Sequence, residues 1–148
     1  MPIRYEHFEV VAVTPERAFA FIDDLPLTAK WLPPCVSLEK LGHGPNAPGD
    51  KLLYVHKVGR RNMQMSGEIL DRVPGERLYC KYSDPMFDVY VDLRVAPDDG
   101  GAMTKHIIEI VPKTFMGKLM RPLIRFGLGK QTRTAAANLK RLLEGENG

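Results

Sequence analysis

Cysteine is scarce in this chain, and its absence excludes several classes at once. Cys35 and Cys80 are the only two, 45 residues apart, so neither a disulfide framework nor a paired-cysteine metal motif is present. Two core-like thiols suit a reducing compartment, and a cytoplasmic location is expected. No apolar run approaches the ~20 residues that a membrane span requires. The opening Met1-Pro2-Ile3-Arg4-Tyr5-Glu6 lacks the apolar stretch of a signal peptide. His7, His43, His56 and His106 have no ligand spacing among themselves, so no metal is expected. A Gly-x-Ser-x-Gly elbow is missing, and Gly42-x-Gly44 lacks the third glycine and βαβ context of a dinucleotide site, so no cofactor is expected either. With no repeat or linker, residues 1–148 read as one domain, and 44% hydrophobic residues are enough to bury a core unaided.

Acidic residues are also missing from one end. From Pro112 onward eight lysines and arginines face only Glu144 and Glu146, a net of +6, so the preceding residues carry −3 of the overall +3. Such an end fits a solvated helix face, or peripheral contact with a phosphate-rich or anionic membrane surface. The charges are spread out and no nucleic-acid module motif accompanies them, so nucleic acid is not an expected partner. Oligomeric state is not legible.

What is present is an ordered series of elements. A strand over Arg4–Val13 runs into Thr14-Pro15, where threonine caps a helix start and proline occupies a first turn that has no amide to lose. The helix reaches about Asp23. A second short helix, Leu25–Trp31, is stopped by Pro33-Pro34. Strands follow at Val36–Leu41, Lys51–Val58, Met63–Arg72, Arg77–Ser83, Phe87–Val95 and Met103–Val111, with a loop over Gly42–Asp50 and a hairpin signal at Asp98-Asp99-Gly100-Gly101. The short connections make these strands antiparallel neighbours.

The closing segment places Met116, Leu119, Met120, Leu123, Ile124, Leu128, Ala135, Leu139 and Leu142 near helical period. Thirty helical residues would span ~45 Å, more than the ~40 Å diameter of a domain this size. A bend is therefore expected, with Gly127 and Gly129 as the weak point. That hinge would open access to the interior near Trp31 and His43. The order β-α-α-β-β-β-β-β-β-α leaves the last helix as the only cover for the sheet, which describes a container.

These features resemble the polyketide cyclase/dehydrase branch of the START-like (SRPBCC, Bet v 1-like) superfamily. The resemblance is carried by Thr14-Pro15-Glu16-Arg17-Ala18-Phe19, Asp23 with Trp31-Leu32-Pro33, Gly49-Asp50-Lys51, Asp99-Gly100 and the segment Ala135–Glu144. It implies an α+β helix-grip fold, a curved seven-stranded antiparallel sheet wrapped around a long C-terminal helix with a cavity between. It also implies apolar ligands such as lipids or polyketides, and enzymatic activity in some members.

Candidate lining residues follow from strand and helix phase. His56 shares a strand face with Tyr54, His106 is in phase with Thr104 and Ile108, and Cys80 alternates with Leu78 and Tyr82. Met63 and Met65 share one strand face, and Met116 and Met120 one helix face. Methionine suits a cavity of variable shape, although core packing explains the same spacing. Trp31, Leu123 and Leu128 complete the candidate set; Trp31 fits equally well as a cap of the mouth or an anchor for its helix. A binding or carrier protein for a small apolar or amphipathic molecule is the leading expectation. The alternatives are a cyclase/dehydratase-type enzyme using His56 or His106 with Tyr54 or Tyr82 as acid and base, or a partner-binding module with no small ligand.

Overall fold

Residues 2–145 are described by a computed structural model; Met1 and Glu146, which entered the sequence reading, lie outside them. Seven strands form one antiparallel sheet: β1 Ile3–Val11, β2 Cys35–Lys40, β3 Lys51–Val58, β4 Arg61–Val73, β5 Arg77–Ser83, β6 Phe87–Asp98 and β7 Gly101–Pro112. Their spatial order is β1-β7-β6-β5-β4-β3-β2. Every neighbouring pair from β2 to β7 is joined in sequence. Only the step from β1 to β2 crosses the whole sheet, and it does so through α1 (Pro15–Asp23), a 3-10 turn (Leu25–Leu27) and α2 (Thr28–Trp31).

Local chemistry explains where these elements begin and end. Thr14 Oγ1 accepts from the Arg17 amide at 3.2 Å, with Pro15 in the first turn of α1. At the other end Asp23 accepts from Arg72 Nε at 3.0 Å and Nη2 at 2.7 Å, and from Asn46 Nδ2 at 2.9 Å. This ties the helix to β4 and to the 42–50 loop. Gly100, at φ +75°, supplies the left-handed turn between β6 and β7. The β3–β4 hairpin is tighter than the sequence suggested, because β4 starts at Arg61 and leaves only Gly59-Arg60 as the link.

The closing helix departs from expectation in one respect. Helical structure continues without interruption through Gly127 and Gly129; the break lies earlier, at Met120, between α3 (Phe115–Leu119) and α4 (Arg121–Gly145). Pro122 is the reason: with no amide hydrogen it cannot continue the ladder from α3, but it is tolerated in the first turn of a new helix. Helix α4 then lies against β1, where Glu144 Oε2 accepts from the Ala12 amide at 2.9 Å and Lys140 donates to the Val10 carbonyl. Leu128, Ala135, Leu139 and Leu143 form its buried face and join a core that includes Phe19, Ile22, Leu52 and Ile69.

Candidate functional site

Strands β2 to β7 build the inner wall of a cavity of about 340 Å³, with Leu38 from β2, Met65 from β4 and period-two alternation on the other four. Tyr54 and His56 come from β3, and Leu78, Cys80 and Tyr82 from β5. Val89, Val91 and Leu93 come from β6, and His106, Ile108 and Ile110 from β7. Leu128, Gln131, Thr132 and Ala135 cover them from α4 at the i, i+3, i+4, i+7 spacing of one helix face. Ile22, Leu25, Thr28 and Trp31 close one end from the N-terminal helices. The volume falls near the lower end of small-molecule pockets, about 300–1,000 Å³.

Tyr54, His56, Met65, Cys80, Tyr82, His106, Trp31 and Leu128 all meet in this one cavity. Four other candidates do not. Met63 stands on the same face as Met65, opposite His56, but it sits close to the turn of the β3–β4 hairpin and is exposed. Met116 on α3, Met120 at the break and Leu123 in the first turn of α4 are exposed, because the break at Met120 ends the helix phase on which their placement relied. His43 is exposed in the 42–50 loop and is not part of the lining. The rim instead carries Pro34, Lys57, Val58 and Gln131. The residues missed, such as Thr28, Val91, Ile110 and Thr132, were reachable in part: once His106 and Ile108, its partner in phase, are inward, Ile110 must be as well.

Polar groups in the cavity are few, and three of them lack a partner. Trp31 Nε1, His56 Nε2 and His106 Nε2 are buried without hydrogen bonds. Trp31 meets His106 edge to face at 6.0 Å between ring centroids, while its backbone carbonyl accepts from Asn138 Nδ2 at 3.1 Å. The ring is therefore buried in the lining, and the backbone of its helix is tied to α4. His56 stacks on Tyr54 at 5.0 Å, and Tyr54 in turn contacts Tyr82 at 5.3 Å. Thr132 spends its hydroxyl proton on the Leu128 carbonyl at 2.8 Å.

Burial sets the electrostatics. Desolvation lowers the His106 imidazole to about 4, with a smaller contribution from His7, its cross-strand partner. His56 is lowered for the same reason, against an opposing pull from Asp84. Desolvation raises the Cys35 thiol to about 11 and the cavity-lining Cys80 thiol to about 12, and pushes both Tyr54 and Tyr82 upward. The cavity is thus lined by neutral groups at neutral pH. No carboxylate lies in its lining among the described residues, and the only cationic side chain, Lys57, is at the rim. Among the described residues no three histidine, cysteine or carboxylate side chains converge as a metal site, and no helix is long and apolar enough to cross a membrane.

A family described as polyketide cyclase / dehydrase and lipid transport matches residues 2–144. No curated protein matches the chain. Among solved structures, TTHA0849 from Thermus thermophilus superposes with a TM-score of 0.78 at 14% identity, covering 100% of each chain. Ara h 8.0201 gives 0.68 at 14% identity, with 97% of this chain and 98% of that one covered. The di-domain ARO/CYC StfQ from the steffimycin biosynthetic pathway gives 0.78 at 12% identity; 99% of this chain covers 52% of StfQ. At these identities the likeness is one of fold.

Proposed function

This chain belongs to the polyketide cyclase / dehydrase and lipid transport family, and from that premise we propose that it is a non-catalytic carrier for a small apolar or amphipathic molecule held between the sheet and α4. The observation that carries this reading is the cavity of about 340 Å³ between the sheet and α4, with its mainly aliphatic and aromatic walls. Burying ligand surface there contributes about 25 cal/mol per Å², enough to hold a compact molecule with few hydrogen bonds. We place the carrier in the reducing cytosol, where Cys35 and Cys80 stay free and buried.

Native mass spectrometry of the protein purified from its own host tests the reading. A bound apolar molecule that is lost on denaturation is the expected result. Repeated failure to find a co-purifying or bindable apolar ligand rejects the carrier.

One observation favours a cyclase/dehydratase-type reading, namely the imidazoles of His56 and His106 and the phenols of Tyr54 and Tyr82 in one chamber. The acid–base balance speaks against it. A general base works best with a pKa near the working pH, whereas burial drives His106 down to about 4 and both phenols upward. Any turnover abolished by both His56→Ala and His106→Ala would restore the enzyme reading.

A further inference from the structure

Two unpartnered nitrogens deep in the cavity specify more than an apolar ligand. Trp31 is 4% exposed and His106 2%, both line the same chamber, and neither Trp31 Nε1 nor His106 Nε2 has a hydrogen-bond partner. Buried polar groups are ordinarily satisfied, so two orphans side by side point to an absent partner. We infer that the carried molecule presents one uncharged oxygen, a hydroxyl or a carbonyl, to an anchor formed by Trp31 Nε1 and His106 Nε2. The inference rests on the carrier reading and names the chemistry of its ligand.

Geometry and charge select this class. The two rings are neighbours, with centroids 6.0 Å apart and planes at 80°, and both open on the same chamber. The indole donates only. The neutral imidazole accepts or donates at Nε2 according to its tautomer. A hydroxyl therefore accepts from Trp31 and donates to His106, and a carbonyl accepts from both. A carboxylate fits poorly, because Lys57 is the only cationic side chain in the lining and stands at the rim, and an unpaired buried charge is costly.

The chain has a single tryptophan, so the anchor carries its own reporter. Cyclooctanol, cyclooctanone, cyclooctane and cyclooctanecarboxylate share one ring and differ in polar group. In proton–nitrogen NMR spectra the lone indole cross-peak should move downfield with the alcohol and the ketone but not with the hydrocarbon. Trp31→Phe should weaken the alcohol and ketone about tenfold and cyclooctane less than about twofold. An unmoved indole signal, an equal loss for all three, or preference for the carboxylate overturns the anchor while leaving a carrier in place. Binding of none of the four overturns the carrier reading itself. The wild-type indole shift keeps the test valid should Trp31→Phe fail to fold.

A second, independent observation concerns the outer surface of α3 and the start of α4. Phe115 and Leu123 are 74% exposed and Phe126 87%, with Met116, Leu119 and Met120 exposed between them. Lys118, Arg121 and Arg125 are interleaved, and no acidic residue occurs between Lys113 and Leu143. We propose that this end of the protein docks on an anionic phospholipid surface, the apolar side chains entering the headgroup boundary and the cations pairing with phosphate. Charge complementarity selects this occupant: a second copy would set the same cations against themselves, with no carboxylate in the stretch to pair them.

Flotation with phosphatidylcholine vesicles, with and without phosphatidylglycerol, tests the docking. Binding should require the anionic lipid. It should fall at least about tenfold in Leu123→Ser/Phe126→Ser and in Lys118→Gln/Arg125→Gln, while cyclooctanol binding stays unchanged in both. Absence of vesicle binding, binding indifferent to these changes, or a concentration-dependent dimer that the serine variant abolishes overturns it.

Discussion

Gly67 of β4 and Tyr82 of β5 are cross-strand partners, and the tyrosine ring occupies the space that a side chain at 67 would need. A Cβ at that position would lie 2.7 Å from Tyr82 Cδ1 and 3.0 Å from Leu52 Cβ. The missing side chain lets the ring lie flat along the sheet and form part of the cavity wall.

Gly67→Ala should therefore be destabilising, by about 1–3 kcal/mol as for other overpacked core sites. The displaced ring has the cavity to move into, so affinity for a cavity ligand should fall as well. Thermal unfolding and calorimetric titration with cyclooctanol check both effects. An alanine variant with wild-type stability and binding would show that the ring is not held there.

His106 should make stability depend on pH. Its folded pKa of about 4 lies below the ordinary 6.5, so between these values the unfolded chain binds more protons. Stability then rises with pH across that window, is fully present above about pH 6.5, and is lost as pH falls toward 4. The span corresponds to roughly 3 kcal/mol at about 1.4 kcal/mol per pH unit. Urea unfolding of wild type and His106→Leu at several pH values tests it. The variant's profile should be flatter by about that amount, and parallel profiles would count against a buried neutral imidazole.

The two helix glycines should behave differently. Nothing lies within 4 Å of a Cβ built on Gly127, whereas one on Gly129 meets Tyr5 Cε2 at 3.1 Å. Gly127→Ala should raise stability by about 0.5–1 kcal/mol, and Gly129→Ala should gain less or lose, as a melting comparison will show. Gly127 also borders a surface depression with Pro33, Pro34 and Gln131 beside the cavity rim. Stiffening α4 there should slow ligand association and dissociation together; unchanged stopped-flow rates in a folded Gly127→Ala variant would limit that glycine to a structural role.

Both thiols should be inert while the chain is folded. Desolvation lifts Cys35 to about 11 and Cys80 to about 12, which cuts the thiolate at pH 8 about a hundredfold or more below that of a free cysteine. Reaction with a chromogenic disulfide should be slow until denaturant is added and should then account for both sulfurs. Rapid native labelling would reveal an opening to the interior.

Strand phase and turn chemistry made most of the fold legible. Alternation put Tyr54 with His56, and Leu78 with Cys80 and Tyr82, on common faces, since each residue fixes every second neighbour, but it did not say which face turns inward. Helical phase was less reliable. Met116, Met120 and Leu123 fit a single amphipathic helix on paper, but Pro122 restarts the helix and leaves them outside. Met63 shows a different limit: periodicity gives the face of a strand, while depth along that face depends on where the covering helix ends. The unpartnered state of Trp31 Nε1 and His106 Nε2 was not legible at all, because it depends on contacts between residues 75 positions apart.

The sheet order has a consequence for how the chain reaches this shape. Strand β1 pairs only with β7, Ile3 facing Ile110 and Val11 facing Ala102. At a synthesis rate of about 5–20 residues per second, the first strand leaves the ribosome roughly 5–20 s before its partner. During that wait its backbone donors and acceptors, with Phe8 and Val10 beside them, have no native neighbour. The meander from β2 to β7 is free to zip up locally, but sealing the chamber requires the slow closure of a loop that runs through most of the chain. The interval before that closure is when this protein is most exposed to aggregation and to the chaperones that prevent it.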